Sequence, residues 1–249
     1  MSQLALTCTT QTFDATIALP TSKSESNRAL IIQHLSQGKF QVNNTSSADD
    51  TQQLVKLLSQ IGKHQELDCG PAGTTFRFLC SVLAFTSGNF VLTGSERMQE
   101  RPIKDLVDAL LLLGANIQYL NKKGYPPLRI EGVTQTVTNT SVSVENSSQY
   151  LSSLLLTGAF LPQGINIQTT GSLGSAPYVD MTIAMLQEAG IAVLKNESIY
   201  RILPQVCLNT AFSVEADWSG ASYWFSRVAL SSNGKILLLG LKKNSLQGD

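Results

Sequence analysis

The stretch Ser22-Lys23-Ser24-Glu25-Ser26-Asn27-Arg28 decides how this chain is read. It follows Leu19-Pro20-Thr21 and runs straight into the apolar segment Ala29-Leu30-Ile31-Ile32. Two cations, three hydroxyls and an amide thus sit at the start of an expected helix. A helix N-terminus has free backbone N–H groups and a partial positive charge, so it suits an anion. Lysine adds a point charge, and arginine a planar fork that matches carboxylate or phosphate. Taken alone, the run also fits a capped helix start with solvated charges, because serine is a common N-cap.

The same local design recurs along the chain. Small-residue loops open apolar helices at Ser22 to Leu35, at Pro71-Ala72-Gly73-Thr74-Thr75-Phe76-Arg77 into Leu79 to Ala84, and at Asn146-Ser147-Ser148-Gln149 into Tyr150 to Phe160. A fourth opens at Asp217-Trp218-Ser219-Gly220-Ala221-Ser222 into Tyr223 to Leu230. After each of the first three comes a short strand-like run: Phe40 to Val42, Phe90 to Leu92, Ile165 to Gln168. Amphipathic helices follow over Asp50 to Ile61, Ile103 to Leu113 and Tyr178 to Ala189, each stopped by a glycine, Gly62, Gly114 or Gly190. Glycine there relieves the cost of a left-handed C-terminal residue. Strands are expected at Asn116 to Tyr119 and Ile191 to Leu194. The chain reads as three copies of a helix–strand–helix–strand unit and the start of a fourth, a period that fits no common solenoid.

Several motifs occur in order: Ser22-Lys23-Ser24 with Ser26-Asn27-Arg28, Ala72-Gly73-Thr74 with Arg77, and Arg97-Met98-Gln99-Glu100-Arg101-Pro102-Ile103. Tyr125-Pro126-Pro127-Leu128, Ser147-Ser148-Gln149-Tyr150, Pro177-Tyr178-Val179-Asp180, Val214-Glu215 with Ser222-Tyr223, and Asn244-Ser245-Leu246-Gln247-Gly248-Asp249 complete the set. In this order they resemble the 5-enolpyruvylshikimate-3-phosphate synthase family over nearly the whole chain. Members of that family run well past the position of Asp249, so the resemblance implies a truncated chain that holds the N-terminal part.

The resemblance implies an α/β fold, an inside-out barrel-like domain of repeated helix–strand units with helices inside and sheets outside. It implies three segments: residues 1–20 as a strand of the C-terminal domain, 21–212 as a complete N-terminal domain, and 213–249 as re-entry into a largely missing second domain. Pro20 and Ser213 mark the hinges. The Thr-rich, alternating segment 1–19 reads as a strand, for which exposed edges and a risk of association are expected. The charge-free runs Leu151 to Phe160 and Leu79 to Phe85 suit central helices.

Composition bounds the function classes. In 249 residues, 18 Lys and Arg balance 18 Asp and Glu, which leaves no basic footprint for nucleic acid. No apolar run is long enough to span a membrane, and Met1-Ser2-Gln3 begins no leader pattern. Cys8, Cys69, Cys80 and Cys207 lack metal spacing, and His34 and His64 are too few for a histidine centre. Free buried thiols in a reducing, cytoplasmic setting are expected.

The implied reaction moves the enolpyruvyl group of phosphoenolpyruvate to a hydroxyl of shikimate 3-phosphate. It passes through a tetrahedral adduct and releases phosphate, in the route to chorismate and aromatic amino acids. No metal or organic cofactor is called for, and the partners are the two small polyanions, bound by a monomer. By resemblance, Lys23 is the catalytic cation between both substrates. Ser24 and Arg28 hold the carboxylate end of shikimate 3-phosphate, and Ser147 and Ser148 hold its phosphate. Ser175 and Tyr178 complete that site, Gln149 touches both substrates, and Gly73 and Arg101 bind phosphoenolpyruvate. Arg77 is expected to brace the glycine loop. The family's proton-transfer carboxylates lie beyond Asp249, so the isolated chain is expected to lack turnover.

Three positions depart from the family pattern: Pro71 where Asn is frequent, Phe78 where Pro is common, and Ala176 where Lys is frequent. They flank the phosphoenolpyruvate loop and the 3-phosphate site, so they bear on affinity and on sensitivity to the inhibitor glyphosate. Two alternatives stay open. One is a non-catalytic ligand-binding fragment. The other is the sister transferase acting on UDP-N-acetylglucosamine, which lacks the Lys-Ser-x-Ser-Asn-Arg pattern and carries a cysteine near residues 96–102, where this chain has none.

Overall fold

The computed structural model describes residues 12–247. The expectations for Cys8, for the first part of the 1–20 strand and for Gly248-Asp249 fall outside those residues. The chain opens with β1 (Thr12–Ala18) and α1 (Lys23–Leu35), where the Ser22 hydroxyl accepts from the Glu25 N–H. Then come β2 (Phe40–Asn43), α2 (Asp49–Gln60), β3 (Glu66–Asp68), α3 (Gly73–Ala84), β4 (Gly88–Thr93), a single turn α4 (Glu96–Gln99) and α5 (Lys104–Leu112). After β5 (Asn116–Tyr119), β6 (Leu128–Gly132) and β7 (Asn139–Ser143) follow α6 (Ser148–Gly158), β8 (Ile165–Thr170) and α7 (Ala176–Glu188). The last elements are β9 (Leu194–Asn196), β10 (Ile199–Ile202), β11 (Thr210–Ser213), α8 (Trp218–Ala229) and β12 (Asn233–Leu239).

The glycine stops work as their sequence position implies. Gly62, Gly114 and Gly190 adopt φ of +80°, +89° and +79°, the left-handed region that ends each helix. One expected strand is missing from the structure. Residues 191–193 form no strand: the Ala192 N–H and C=O are bound by the Gln205 carboxamide, each at 2.9 Å, so a side chain takes the place of a neighbouring strand. Strands β3, β6, β7 and β10 to β12 were not marked by periodicity, most being too short for alternation to show.

Helices α1, α3 and α6 touch one another at the centre, with α2, α5 and α7 packed between them. The sheets lie outside this bundle, in the orders β3-β4-β6-β5 and β7-β8-β10-β9, with β11-β2 as the third face. Burial explains the arrangement. Every residue of α6 except Gln149, and every residue of α3 except Thr74, is buried. Only sheets and sister helices can cover helices that are apolar all round.

The units differ in how their strands close. In the second and third, strand, helix and strand close on themselves: β3 is parallel to β4 across α3, and β7 to β8 across α6. In the first and last the leading strands are exchanged. β11 pairs in parallel with β2, Thr210 opposite Phe40, while β1 pairs in parallel with β12, Thr12 opposite Asn233. The two chain crossings meet at a bridge between Thr21 and Ala216, where Ser22 N–H donates to the Glu215 carbonyl at 2.8 Å and Asp217 N–H to that of Pro20 at 2.9 Å.

Candidate active site

The exchange brings five helix N-termini to one cleft of about 690 Å³. Lys23 and Ser24 come from the start of α1, and Thr74 from α3. Asn146, Ser147, Ser148 and Gln149 come from α6, Ser175 and Tyr178 from α7, and Asp217 with Ser219 and Gly220 from α8. Each N-terminus presents unsatisfied N–H groups and about half a positive charge, so their convergence makes the cleft an anion site even before any side chain is counted. Sequence produces this locally by small polar residues at the caps. Ser147 Oγ accepts from Gln149 N–H at 3.2 Å, and Asp217 Oδ1 from Ser219 N–H at 3.0 Å.

Arg28 adds a full charge at the base of the cleft while being 2% exposed. Its Nε donates to Thr182 Oγ1 at 2.7 Å, Nη1 to the Ser24 carbonyl at 2.9 Å, and Nη2 to the Tyr178 carbonyl at 3.2 Å and Ser152 Oγ at 3.4 Å. It also lies 5.6 Å from the Phe78 ring and 5.7 Å from that of Tyr178. Thus Phe78, one of the departures from the family pattern, serves as a platform under Arg28. Burial lowers the Arg28 guanidinium to about 10, with Tyr178 and Glu25 opposing the drop, so it stays charged at neutral pH. All four hydrogen bonds go to neutral oxygens. The buried charge has no carboxylate partner among the described residues, a costly state that an incoming anion relieves.

Lys23 reaches the rim, where Nζ meets Asp50 Oδ2 at 3.2 Å. The pair is partly exposed, so the attraction is weak and a polyanion can compete for the ammonium. Ser26 and Asn27, which share its motif, turn away from the cleft. Ser26 Oγ accepts from Ser46 N–H at 2.8 Å, and Asn27 Oδ1 from Thr51 Oγ1 at 2.8 Å, so they pin α1 to the loop before α2 and to α2 itself.

Lys23, Ser24, Arg28, Ser147, Ser148, Gln149, Ser175 and Tyr178 therefore share one lining, while Gly73 and Arg101 lie beside it. A Cβ on Gly73 would overlap the Arg101 guanidinium and displace it, so the glycine lets the arginine lie against the loop. Arg77 differs from its expected role. Its side chain leaves the glycine loop and donates from Nη1 to Gln149 Oε1 at 2.6 Å, with its guanidinium 5.4 Å from the Tyr150 ring. Burial, and the neighbouring Arg101, lower its affinity for its proton. The lining also holds Thr74, Asn146, Asp217, Ser219, Gly220, Ser222 and Tyr223, which the sequence marks only through the small-residue loops that open α3, α6 and α8 and through the Ser222-Tyr223 motif, without a role.

A family model described as EPSP synthase (3-phosphoshikimate 1-carboxyvinyltransferase) matches residues 8–68 and 62–249. The chain belongs to the EPSP synthase family. A 3-phosphoshikimate 1-carboxyvinyltransferase of Bacteroides fragilis is 44% identical over 237 residues, covering 94% of this chain and 57% of the relative. One from Shewanella loihica is 36% identical over 262 residues, covering 94% and 61%. An EPSP synthase structure from Acinetobacter baumannii superposes with a TM-score of 0.75 at 20% identity, covering 94% of this chain and 57% of that one. The fold is thus that of the EPSP synthases, and the chain spans about three-fifths of the length of these relatives.

Among the described residues no group of His, Cys, Asp and Glu is arranged to hold a metal ion, and no helix is long and apolar enough to cross a membrane. Cys69, Cys80 and Cys207 are free and buried, and burial pushes the Cys80 thiol up to about 12.

Proposed function

We propose that this chain carries the shikimate 3-phosphate site of an enolpyruvyl transferase acting on phosphoenolpyruvate. The observation that carries the proposal is the convergence of five helix N-termini and the unpaired Arg28 charge on one hydroxyl-lined cleft. In this reading Arg28 and Ser24 take the carboxylate, and Ser147, Ser148 and Ser175 the phosphate, through hydroxyls and free backbone N–H groups. Tyr178 packs against the ring. Lys23, released from Asp50, sits between the two substrates and stabilises charge as the substrate hydroxyl adds to the enol carbon. Gln149 spans both substrates, and Arg101 over Gly73 takes phosphoenolpyruvate. We also infer that residues 21–212 form a complete domain and that 1–20 and 213–249 belong to a second one. The pairing of β11 with β2, and of β1 with β12, supports that division.

The observation that favours binding without turnover is the character of Asp217, the one carboxylate among the described lining residues. Its Oδ1 is engaged as the cap of α8, so the described lining offers no free acid–base pair. The test is a titration of the folded chain with shikimate 3-phosphate, followed by backbone amide shifts, with a UDP-aminosugar as control. Shifts confined to the surroundings of Ser24, Arg28, Ser147, Ser148 and Tyr178 are expected. A response to the UDP-sugar instead overturns the substrate assignment, and phosphate release above that of a Lys23→Ala chain overturns the claim of binding alone.

A further inference from the structure

We propose that Arg77 is a positioning residue that aims the Gln149 carboxamide, fixing its oxygen inward so that its NH2 group faces the cleft as an anion donor. This rests on the anion-binding reading above. Gln149 is the one residue of α6 that is not buried, and it lines the cleft. A primary amide can present either end, and the two ends have opposite meaning for an anion: NH2 attracts it and C=O repels it. A guanidinium has donors and no acceptor, so only Oε1 can meet Arg77 Nη1 at 2.6 Å. The nitrogen end is thereby turned away from Arg77, and it has no hydrogen-bond partner among the described residues.

Burial and an aromatic neighbour hold Arg77 in place. It is 5% exposed, and its guanidinium lies 5.4 Å from the Tyr150 ring. The Tyr150 hydroxyl is fixed in turn by donating to the Pro102 carbonyl at 2.7 Å. The Arg77 backbone carbonyl accepts from Ser153 Oγ at 2.7 Å, which ties α3 to α6 one turn below Gln149. Both ends of the Arg77–Gln149 contact therefore stand on central helices whose relative position is set by buried hydrogen bonds. Positions 77 and 149 are 72 residues apart in sequence.

A purely structural arginine and an aiming arginine make different predictions for the amide. The experiment follows the Gln149 side-chain NH2 resonances of the 249-residue chain while shikimate 3-phosphate is added, in wild type, Arg77→Met, Arg77→Lys and Gln149→Glu. In wild type these resonances are expected to shift on binding. Arg77→Met is expected to weaken affinity about 10-fold and to abolish the shift, while the Ser147 backbone shift remains. Lysine can still donate to Oε1, so Arg77→Lys is expected to recover most of the affinity. Gln149→Glu keeps a partner for Arg77 but presents an anionic oxygen to the cleft. It is expected to retain or raise the melting temperature and lose affinity by more than about 10-fold. Wild-type binding with an unmoved Gln149 NH2, or Arg77→Met binding as tightly as wild type, overturns the positioning role and leaves the functional reading intact. Absence of any binding by folded wild type overturns the functional reading, and the role of Arg77 falls with it.

Discussion

Helices α3 and α8 are the same element in two surroundings. Each has 12 residues, follows a small-residue loop and leads into a strand of a parallel pair, β4 with β3 and β12 with β1. Yet 11 residues of α3 are buried, against Ala221 alone in α8. Helix α3 is enclosed by sister helices and a four-stranded sheet. Helix α8 has the β1–β12 pair on one side, and Tyr223, Phe225 and Leu230 stand 78%, 52% and 84% exposed. The difference teaches that an apolar helix records what it is built to be covered by, while its burial depends on which neighbours are present. The central bundle holds itself together. The β1–α8–β12 unit is held chiefly by the exchanged strand and the crossing.

Large-to-small substitutions test this comparison most strongly. Phe76→Ala, one turn into α3, is expected to cost about 3–5 kcal/mol in urea unfolding, because it leaves a cavity at a fully buried position. Phe225→Ala in α8 is expected to cost less than about 1 kcal/mol. Equal costs would mean that the apolar face of α8 is covered in solution, and the contrast would be lost.

The crossing supplies a pH signature of its own. Glu25, buried at the start of α1, accepts from the Glu215 N–H at 3.1 Å. Glu215 is buried too, and Ser245 and Gln247 both donate to its Oε1. Burial first, and then the charge and side chain of Glu215, raise the Glu25 carboxyl to about 7 from 4.5, against the Glu215 backbone N–H and Lys242, which lower it. The folded state thus binds this proton more tightly than the unfolded one. Its stabilising effect is complete below about pH 4.5 and is lost as pH rises through 7. The chain is expected to be on the order of 2 kcal/mol less stable at pH 8 than at pH 5 through this group. Glu25→Gln is expected to flatten that slope in denaturant melts across the range. An unchanged slope would assign the proton elsewhere.

Smaller effects sharpen the contrast. Asp217→Ala removes the α8 cap and is expected to cost about 1 kcal/mol. Hydrogen exchange is expected to show that cost in α8 and β12, with the amides of α3 unaffected. Leu230→Ser is expected to change stability by less than about 0.5 kcal/mol. It is expected to lower self-association by light scattering, because Leu230 adds to an exposed apolar face.

Much of the fold is legible in the sequence because its signals are local. Serine caps, left-handed glycine stops and charge-free runs act within a few residues, so α1, α2, α3, α6 and α7 begin and end within about two residues of their expected limits. Residues 191–193 show where locality fails. Their apolar pattern suits a strand, but the Gln205 amide occupies the backbone positions that a ladder would need.

The candidate site divides in the same way. Lys23, Arg28, Ser147 and Ser148 stand out because cations and hydroxyls at helix starts have a chemistry that can be read in place. The sequence by itself determined the repeated unit, the family and the anion-binding ends of the helices. Only the tertiary structure decided that five such ends meet, that β1 and β11 exchange partners, and that Arg77 turns to Gln149 instead of bracing the glycine loop. Those are contacts between segments tens to hundreds of residues apart. They depend on how close-packed helices settle against one another, which no periodicity along the chain encodes.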